Sequence, residues 1–345
     1  MGIFTTETDY FGLDIGETAL RLVQLKKGGA KPVLVTLGDV EVPSNLLETD
    51  SAAAHDKLTE LIVQLVKDLR VTSKNVVVGL PASKVFASVI TTPKLNDAEL
   101  AKAIKYQADQ YVPMAIDQVK LDWTVLGPGK TENELEILLV ACPNTVADKY
   151  LNIITKAGLE VSALEVNATA LYRAVVPPTS PPVIVLDAGS TSTDLSIVYQ
   201  GTPRLIRSIP VGGATFRKSV STALGLDDVQ ADQFVKKFGL TQTKLEGQVY
   251  KAVKPNVDIL VEEIGKSIKF FTTRYTDVKV EKIVLTGGAA NMLELPAYIA
   301  NATRLPVELA NPWINISYPA NMHDRLLGLS HSYGVAAGLA ERMFL

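Results

Sequence analysis

Over the first fifth of the chain, apolar residues come in short runs with a period of two or no period, which predicts strands before helices. Residues 10–15 and 20–25 read as a hairpin, and 33–37 with 40–42 as a third strand. Between Ser51 and Leu69 the period turns helical, with Leu58, Leu61, Ile62, Leu65, Val66 and Leu69 on one stripe. Residues 76–81 are a short apolar run suited to a central parallel strand. The opening plan is therefore β-β-β-α-β.

The pattern then changes. Residues 85–91 predict a strand. Asn96, with Glu99 three residues on, predicts the start of a helix running through Leu100, Ile104 and Ala108 to Tyr111 and ending before Pro113. Strands are expected at 121–126 and 135–141 around a Gly127-Pro128-Gly129 turn, and Asn144 opens a helix that reaches Gly158. This inserted stretch of about 65 residues is large enough for a small core of its own. Residues 162–176 read as one helix, and the proline run at 177–182 as a stiff break. The second half repeats the opening: a hairpin over 183–198, a strand near 204–209, then Gly212-Gly213. Helices are expected at 215–224, 228–238 and 255–276, then a strand ending in Gly287-Gly288, a helix from Leu293 and a small-residue helix over 332–343.

Within that repeat lies a repeated motif. Asp14-Ile15-Gly16-Glu17-Thr18 and Asp187-Ala188-Gly189-Ser190-Thr191 each close an apolar strand with Asp-x-Gly and follow it with small hydroxyl residues. The glycine lets the backbone approach a bulky group closely. A carboxylate at a strand end can hold a cation's water shell, and turn N–H groups converging on one concavity suit a phosphate. A third strand ends in Gly287-Gly288-Ala289, where a flat base and ribose can lie on bare backbone. Together the three imply two similar half-domains closing on one nucleoside triphosphate.

Composition narrows the partners. The 345 residues imply more than one domain, and 47% apolar with 21% charged residues is ordinary globular usage. A formal charge of -3 argues against nucleic acid. Cys142 is the only cysteine, which excludes a disulfide framework and suits a reducing, cytoplasmic compartment. No run is long enough to span a bilayer, and no basic-then-apolar leader is present. Met1-Gly2-Ile3-Phe4-Thr5-Thr6 matches the permissive myristoylation pattern. His55, His323 and His331 have no ligand spacing.

These segments resemble the actin-like ATPase superfamily: two phosphate loops at Gly12 to Ala19 and Asp187 to Asp194, connecting helices at Leu164 to Val175 and Tyr333 to Gly338, and an adenosine loop at Leu285 to Ala290. The resemblance implies an α/β fold of duplicated ribonuclease H-like halves. Its parts would be a first subdomain at 1–82 and 159–180, an inserted lobe at 83–158, a second subdomain at 181–211 and 277–345, and a helical lobe at 212–276. The place of the insert is like that in the FtsA and PilM families. The segments 106–113, 209–213 and 225–232 are similar to PilM, the type IV pilus assembly family. FtsA typically ends in an amphipathic membrane helix, whereas this sequence ends at Leu345, just past its second connecting helix.

The resemblance further implies ATP and Mg²⁺, with Asp14 and Asp187 flanking the ion through its waters. Gly16, Glu17, Thr18, Gly189, Ser190 and Thr191 would border the phosphates, and Gly287, Gly288 and Ala289 the adenine. Gly212-Gly213 either approaches the phosphates or makes a plain turn. Glu263 and Lys266, one turn apart, contact ribose and base or form a surface pair. There are two departures. Glu17 stands where relatives have serine, with Arg21 a candidate partner. Asn167 stands near the usual acidic residue that orients water, and an amide is no general base. Hydrolysis is therefore expected to be slow. The implied role is a cytoplasmic scaffold that binds the tail of a PilN-like inner-membrane protein in a groove between the first subdomain and the insert. It would meet the membrane and other platform components through that partner, with homo-oligomers possible. An FtsA-like filament protein and a small-molecule kinase of the same fold are the alternatives.

Overall fold

The structure is a computed structural model describing residues 9–44 and 46–344; the Met1–Thr6 pattern and Leu345 lie outside the described residues. Two compact units share the chain. The first comprises residues up to 81, 144–175 and 311 onward; the second comprises 82–143 and 176–310.

In the first unit, β1 (Tyr10–Ile15), β2 (Ala19–Lys26) and β3 (Val33–Glu41) form an antiparallel meander. Helix α1 (Ala52–Asp68) follows. Its N-cap Ser51 accepts from Ala54 N–H, and Ala54, Leu58, Ile62 and Leu65 are buried. Strand β4 (Asn75–Leu80) then pairs parallel to β1.

The next segment differs from the expected pattern. The single helix expected over 162–176 is in fact a strand and a helix. Strand β8 (Glu160–Val166) lies parallel to β4, and α4 (Asn167–Val175) begins only after it. Helix-forming Ala163, Leu164 and Glu165 are held extended by the ladder, as tertiary context commonly overrides propensity. The resulting sheet order is β3-β2-β1-β4-β8.

The other connecting helix, α10 (Gly334–Glu341), is buried along its whole length. It packs on α4 and β1 backbone to backbone. A Cβ at Gly12 would lie 2.5 Å from the Ala336 carbonyl oxygen. Arg173 of α4 donates to both oxygens of Glu165 (2.8 and 2.7 Å) and to the Gly338 carbonyl (3.1 Å), and Arg342 adds a 2.9 Å ion pair to Glu165.

Glu341, at the end of α10, is fully buried, and neither carboxylate oxygen has a hydrogen-bond partner. The Asn315 amide is nearby but donates to the Arg173 carbonyl at 3.3 Å. Burial pushes the Glu341 pKa up to about 8 from an ordinary 4.5, with Asn315 and Arg173 opposing. A carboxyl raised in the folded state stabilises fully below its unfolded value, and that stability is lost as pH rises through the folded one. Glu341→Gln is therefore expected to match wild type near pH 4 and to exceed it by about 2–4 kcal/mol near pH 9. Urea titrations at several pH values measure this, and identical pH slopes for the two proteins would refute it.

The second unit repeats the sheet. Strands β9 (Val183–Ala188), β10 (Thr193–Tyr199) and β11 (Thr202–Ile209) form the meander, and β12 (Lys282–Thr286) with β13 (Val307–Leu309) lie parallel to β9. The order β11-β10-β9-β12-β13 copies that of the first unit strand for strand. Helices α5 (Gly213–Leu224), α6 (Asp228–Phe238) and α7 (Gln248–Arg274) separate β11 from β12. Helix α7 starts seven residues earlier than the 255 expected; Pro255 sits inside it, where it removes one N–H from the helical ladder. Helix α8 (Leu295–Thr303) completes this unit, and the unpredicted α9 (His323–Leu329) belongs to the first.

The insert has its own three-stranded antiparallel sheet in the order β5-β7-β6, made of β5 (Phe86–Pro93), β7 (Glu134–Pro143) and β6 (Val119–Pro128). Helix α2 (Asp97–Tyr111) covers it, with Asn96 Oδ1 accepting from Glu99 N–H at 3.0 Å as the sequence predicts. Ile90, Leu100, Ile104, Ile137 and Leu139 form its core. Helix α3 (Asn144–Lys156) returns the chain to the first unit. Buried Glu136 fastens the insert to the rest of the second unit. It accepts from Arg204 of β11 (2.7 Å), Arg274 of α7 (2.7 Å) and the Tyr275 hydroxyl (2.6 Å).

Candidate functional site

Each copy of the Asp-x-Gly motif sits in the turn between the first two strands of its sheet. In the first unit, Asp14 ends β1 opposite Arg21 of β2. The Gly16 N–H closes the turn on the Ala19 carbonyl at 3.1 Å, and a Cβ on Gly16 would lie 2.8 Å from that oxygen. Asp14 is buried, and burial raises its pKa to about 6 while Arg21, 3.8 Å away, pulls it down. Arg21, the expected partner for Glu17, thus faces Asp14. Glu17 is partly exposed and Thr18 exposed at the tip.

In the second unit, Asp187 ends β9 opposite Asp194 of β10, whose carboxylate accepts from Ser208 at 2.6 Å. The Gly189 N–H is shared between the Asp187 (3.0 Å) and Ser192 (2.9 Å) carbonyls. Ser190 is partly exposed and Thr191 exposed. Gly212-Gly213 has a definite role here: it clamps the loop. The Gly213 N–H donates to the Gly189 carbonyl at 3.0 Å, and the Ala214 N–H to the Ser190 carbonyl at 2.8 Å. The first N–H groups of α5 therefore hold the phosphate-like loop in shape.

Beside this loop, Gly287 has φ +91 and ψ 164, a region of backbone space essentially reserved for glycine. A side chain there would also collide with the Ala188 backbone. Gly288 is exposed with open space where a Cβ would be, and Ala289 is partly exposed. Gly189, Ser190, Gly213 and Gly287 thus come together around the end of β9, with Gly288 next to bare space.

Asn167 is the first residue of α4. Its Oδ1 is buried without a hydrogen-bond partner and lies over Gly79 of β4, where a Cβ would strike it. Such an acceptor suits a water molecule better than a proton. Glu165, two residues earlier, is wholly engaged by Arg173 and Arg342.

Glu263 and Lys266 do pair, at 2.7 Å, and Lys266 also reaches Glu262 at 2.8 Å. Glu263 accepts from Arg207 at 3.4 Å. Lys266 lines a groove with Thr91, Lys130 and Phe270, and none of the loop residues above line that groove. Sequence reasoning missed Glu136 and its arginines. The one signal was a charged residue next to the apolar run Ile137-Leu138-Leu139-Val140.

Among the described residues, no three His, Cys, Asp or Glu side chains are grouped to hold a metal ion. No helix among them is long and apolar enough to cross a membrane.

Two sheets of identical strand order, each with an Asp-x-Gly turn between its first two strands, define the duplicated actin-like ATPase fold. Structural comparison agrees. The structure is similar to MreB5 of Spiroplasma citri bound to ADP, with a TM-score of 0.56 at 11% identity, covering 98% of this chain and 96% of that one. Within this class the chain belongs to the type IV pilus assembly protein PilM family, which it matches over residues 12–344. A PilM-PilN type IV pilus biogenesis complex is similar over 97% of this chain and 98% of that one, with a TM-score of 0.84 and 25% identity. The cell division protein FtsA of Pseudomonas aeruginosa is 22% identical over 247 residues, which is 62% of this chain and 58% of FtsA. The chain thus matches a little over half the length of that curated relative.

Proposed function

We propose that this protein is a nucleotide-binding scaffold of type IV pilus assembly, working at the cytoplasmic face of the inner membrane through a partner. In this role it binds the N-terminal cytoplasmic tail of a PilN-like membrane protein. The observation that carries this reading is the near-complete structural likeness to a PilM-PilN complex together with the family match. Family membership favours the pilus reading over a filament protein or a small-molecule kinase, since fold alone does not fix function.

The nucleotide is ATP in this reading. The phosphates fall to Gly189, Ser190 and Thr191, with Gly16, Glu17 and Thr18 as the first-unit counterparts. Adenine falls to Gly287, Gly288 and Ala289. The open space at Gly288 and the clamped loop at Gly189 fit such a ligand. Asp14 and Asp187 are suited to Mg²⁺, which keeps most of its waters and takes few carboxylates beside the phosphates. When bound, the ion would neutralise phosphate charge. The Asn167 amide oxygen would hold a water without removing its proton, so turnover is expected to be slow.

Asp187→Ala should weaken Mg²⁺-ATP binding by about a hundredfold, on the order of 3 kcal/mol, while thermal unfolding without nucleotide stays close to wild type. Calorimetry with and without Mg²⁺ measures this, with phosphate release followed in parallel. Rapid phosphate release by wild type would instead favour a working ATPase or kinase. A peptide copying the N-terminal tail of the PilN-like protein from the same genome tests the scaffold reading separately.

A further inference from the structure

Helix α7 carries Lys266, Lys269, Phe270, Thr273 and Arg274 at helical spacing, so they share one face along its last two turns. This face lies away from the core, into which α7 sends Leu260, Ile264, Ser267 and Phe271. It forms one wall of a groove of about 780 Å³ within the second unit. The other walls are Thr91 of β5, Lys130 and Glu134 around the β6–β7 turn, and Arg207 of β11.

The charge here is only partly compensated. Arg207 and Lys266 are matched by Glu263 and Glu262. Arg274 shares the single carboxylate of Glu136 with Arg204. Lys130 and Lys269, both exposed, form no ion pair among the described residues, and Glu134 is the one remaining carboxylate in the lining. Six cations thus stand against four carboxylates, with both free lysines on the groove itself. Between them Phe270 is 51% exposed, an unusual place for a phenylalanine on a charged face.

We propose that this groove is a docking site for an acidic peptide segment carrying an apolar side chain, with carboxylates meeting Lys130 and Lys269 and the apolar group covering Phe270. A small phosphate-like anion would explain the lysines but not the phenylalanine. The face also runs roughly 12 Å from Lys266 to Arg274, at 1.5 Å rise per residue, which is the reach of an extended segment of several residues. Aromatic anchors inside a charged rim are where peptide interfaces concentrate their affinity. The inference is independent of the nucleotide and pilus assignments.

The test uses the full chain and a short fluorescein-labelled peptide alternating glutamate with leucine and phenylalanine, read by anisotropy. Binding is expected to weaken at least about tenfold in the double variant Lys130→Glu/Lys269→Glu and several-fold in Phe270→Ala, and to fall with added salt. The matched lysine peptide should not bind. Because neither lysine has an ion-pair partner among the described residues, thermal unfolding of the double variant should stay at the wild-type midpoint. Three results would overturn the proposal: no binding by wild type; affinity unchanged in both variants; or full displacement by tripolyphosphate with Phe270→Ala neutral, which would make the groove a simple anion site.

Discussion

Replacing Glu136 with alanine is expected to cost about 3–5 kcal/mol and to loosen the insert before the rest of the second unit unfolds. Glu136 is 4% exposed, and Arg204, its most buried cationic partner, 3%. The variant leaves the Arg204 guanidinium buried with neutral acceptors alone: the Leu126 carbonyl (3.1 Å), Gln200 (3.2 Å) and the Tyr199 carbonyl (3.4 Å). It also leaves Arg274 with only the Val89 carbonyl (3.3 Å) and Thr91 Oγ1 (3.1 Å) as acceptors, and takes the carboxylate from the Tyr275 hydroxyl. Most of the loss is the cost of unpaired buried charge, not the worth of the pair. Glu136→Leu combined with Arg204→Met should therefore recover much of it. Limited proteolysis within residues 82–143 reads the loosening directly. Wild-type protection and midpoint in Glu136→Ala would show that the ion cluster does not fasten the insert.

The second large effect is expected at Gly338. A side chain there would fall inside the van der Waals sphere of the Ala170 carbonyl oxygen, on the facing helix. Backbone cannot yield as a flexible side chain does, so α4 and α10 would have to separate. That movement would break the Arg173 contact with the Gly338 carbonyl. Gly338→Val is expected to cost more than about 3 kcal/mol, beyond the usual range for overpacking, and to unfold the first unit under mild heating. Gly265→Ala is the control. Gly265 lies in α7 with nothing within 4 Å of a Cβ, so alanine there should stabilise by about 1 kcal/mol. Circular dichroism melts of the two variants should move in opposite directions. Equal and small shifts would mean that the helix pair tolerates being spread.

Much of this protein was legible before its structure. The hairpins, the amphipathic stripe of α1, the Asn96 cap and the paired Asp-x-Gly turns are all local: turn geometry, helical period and capping act over a few residues, so the sequence states them. The repetition of those local patterns was enough to expect two like halves, and the identical strand orders bear that out. Strand β8 was not legible, because Ala163, Leu164 and Glu165 favour helix and only pairing with β4 makes them extended. The early start of α7 was hidden by Pro255, which marks helix starts far more often than interiors.

The sequence by itself determined the class of fold and the residue types at the loops, since glycine, carboxylate and hydroxyl at a strand end leave few uses. Tertiary structure alone decided what each of those groups faces. It set Arg21 against Asp14, spent the first N–H groups of α5 on clamping the Gly189 loop, and placed Lys266 in a groove with Lys130 and Phe270. It also joined Glu136 to Arg204 and Arg274, 68 and 138 residues away along the chain. Long-range partners of this kind leave no periodic trace, because burial and charge balance are settled only when distant strands and helices pack.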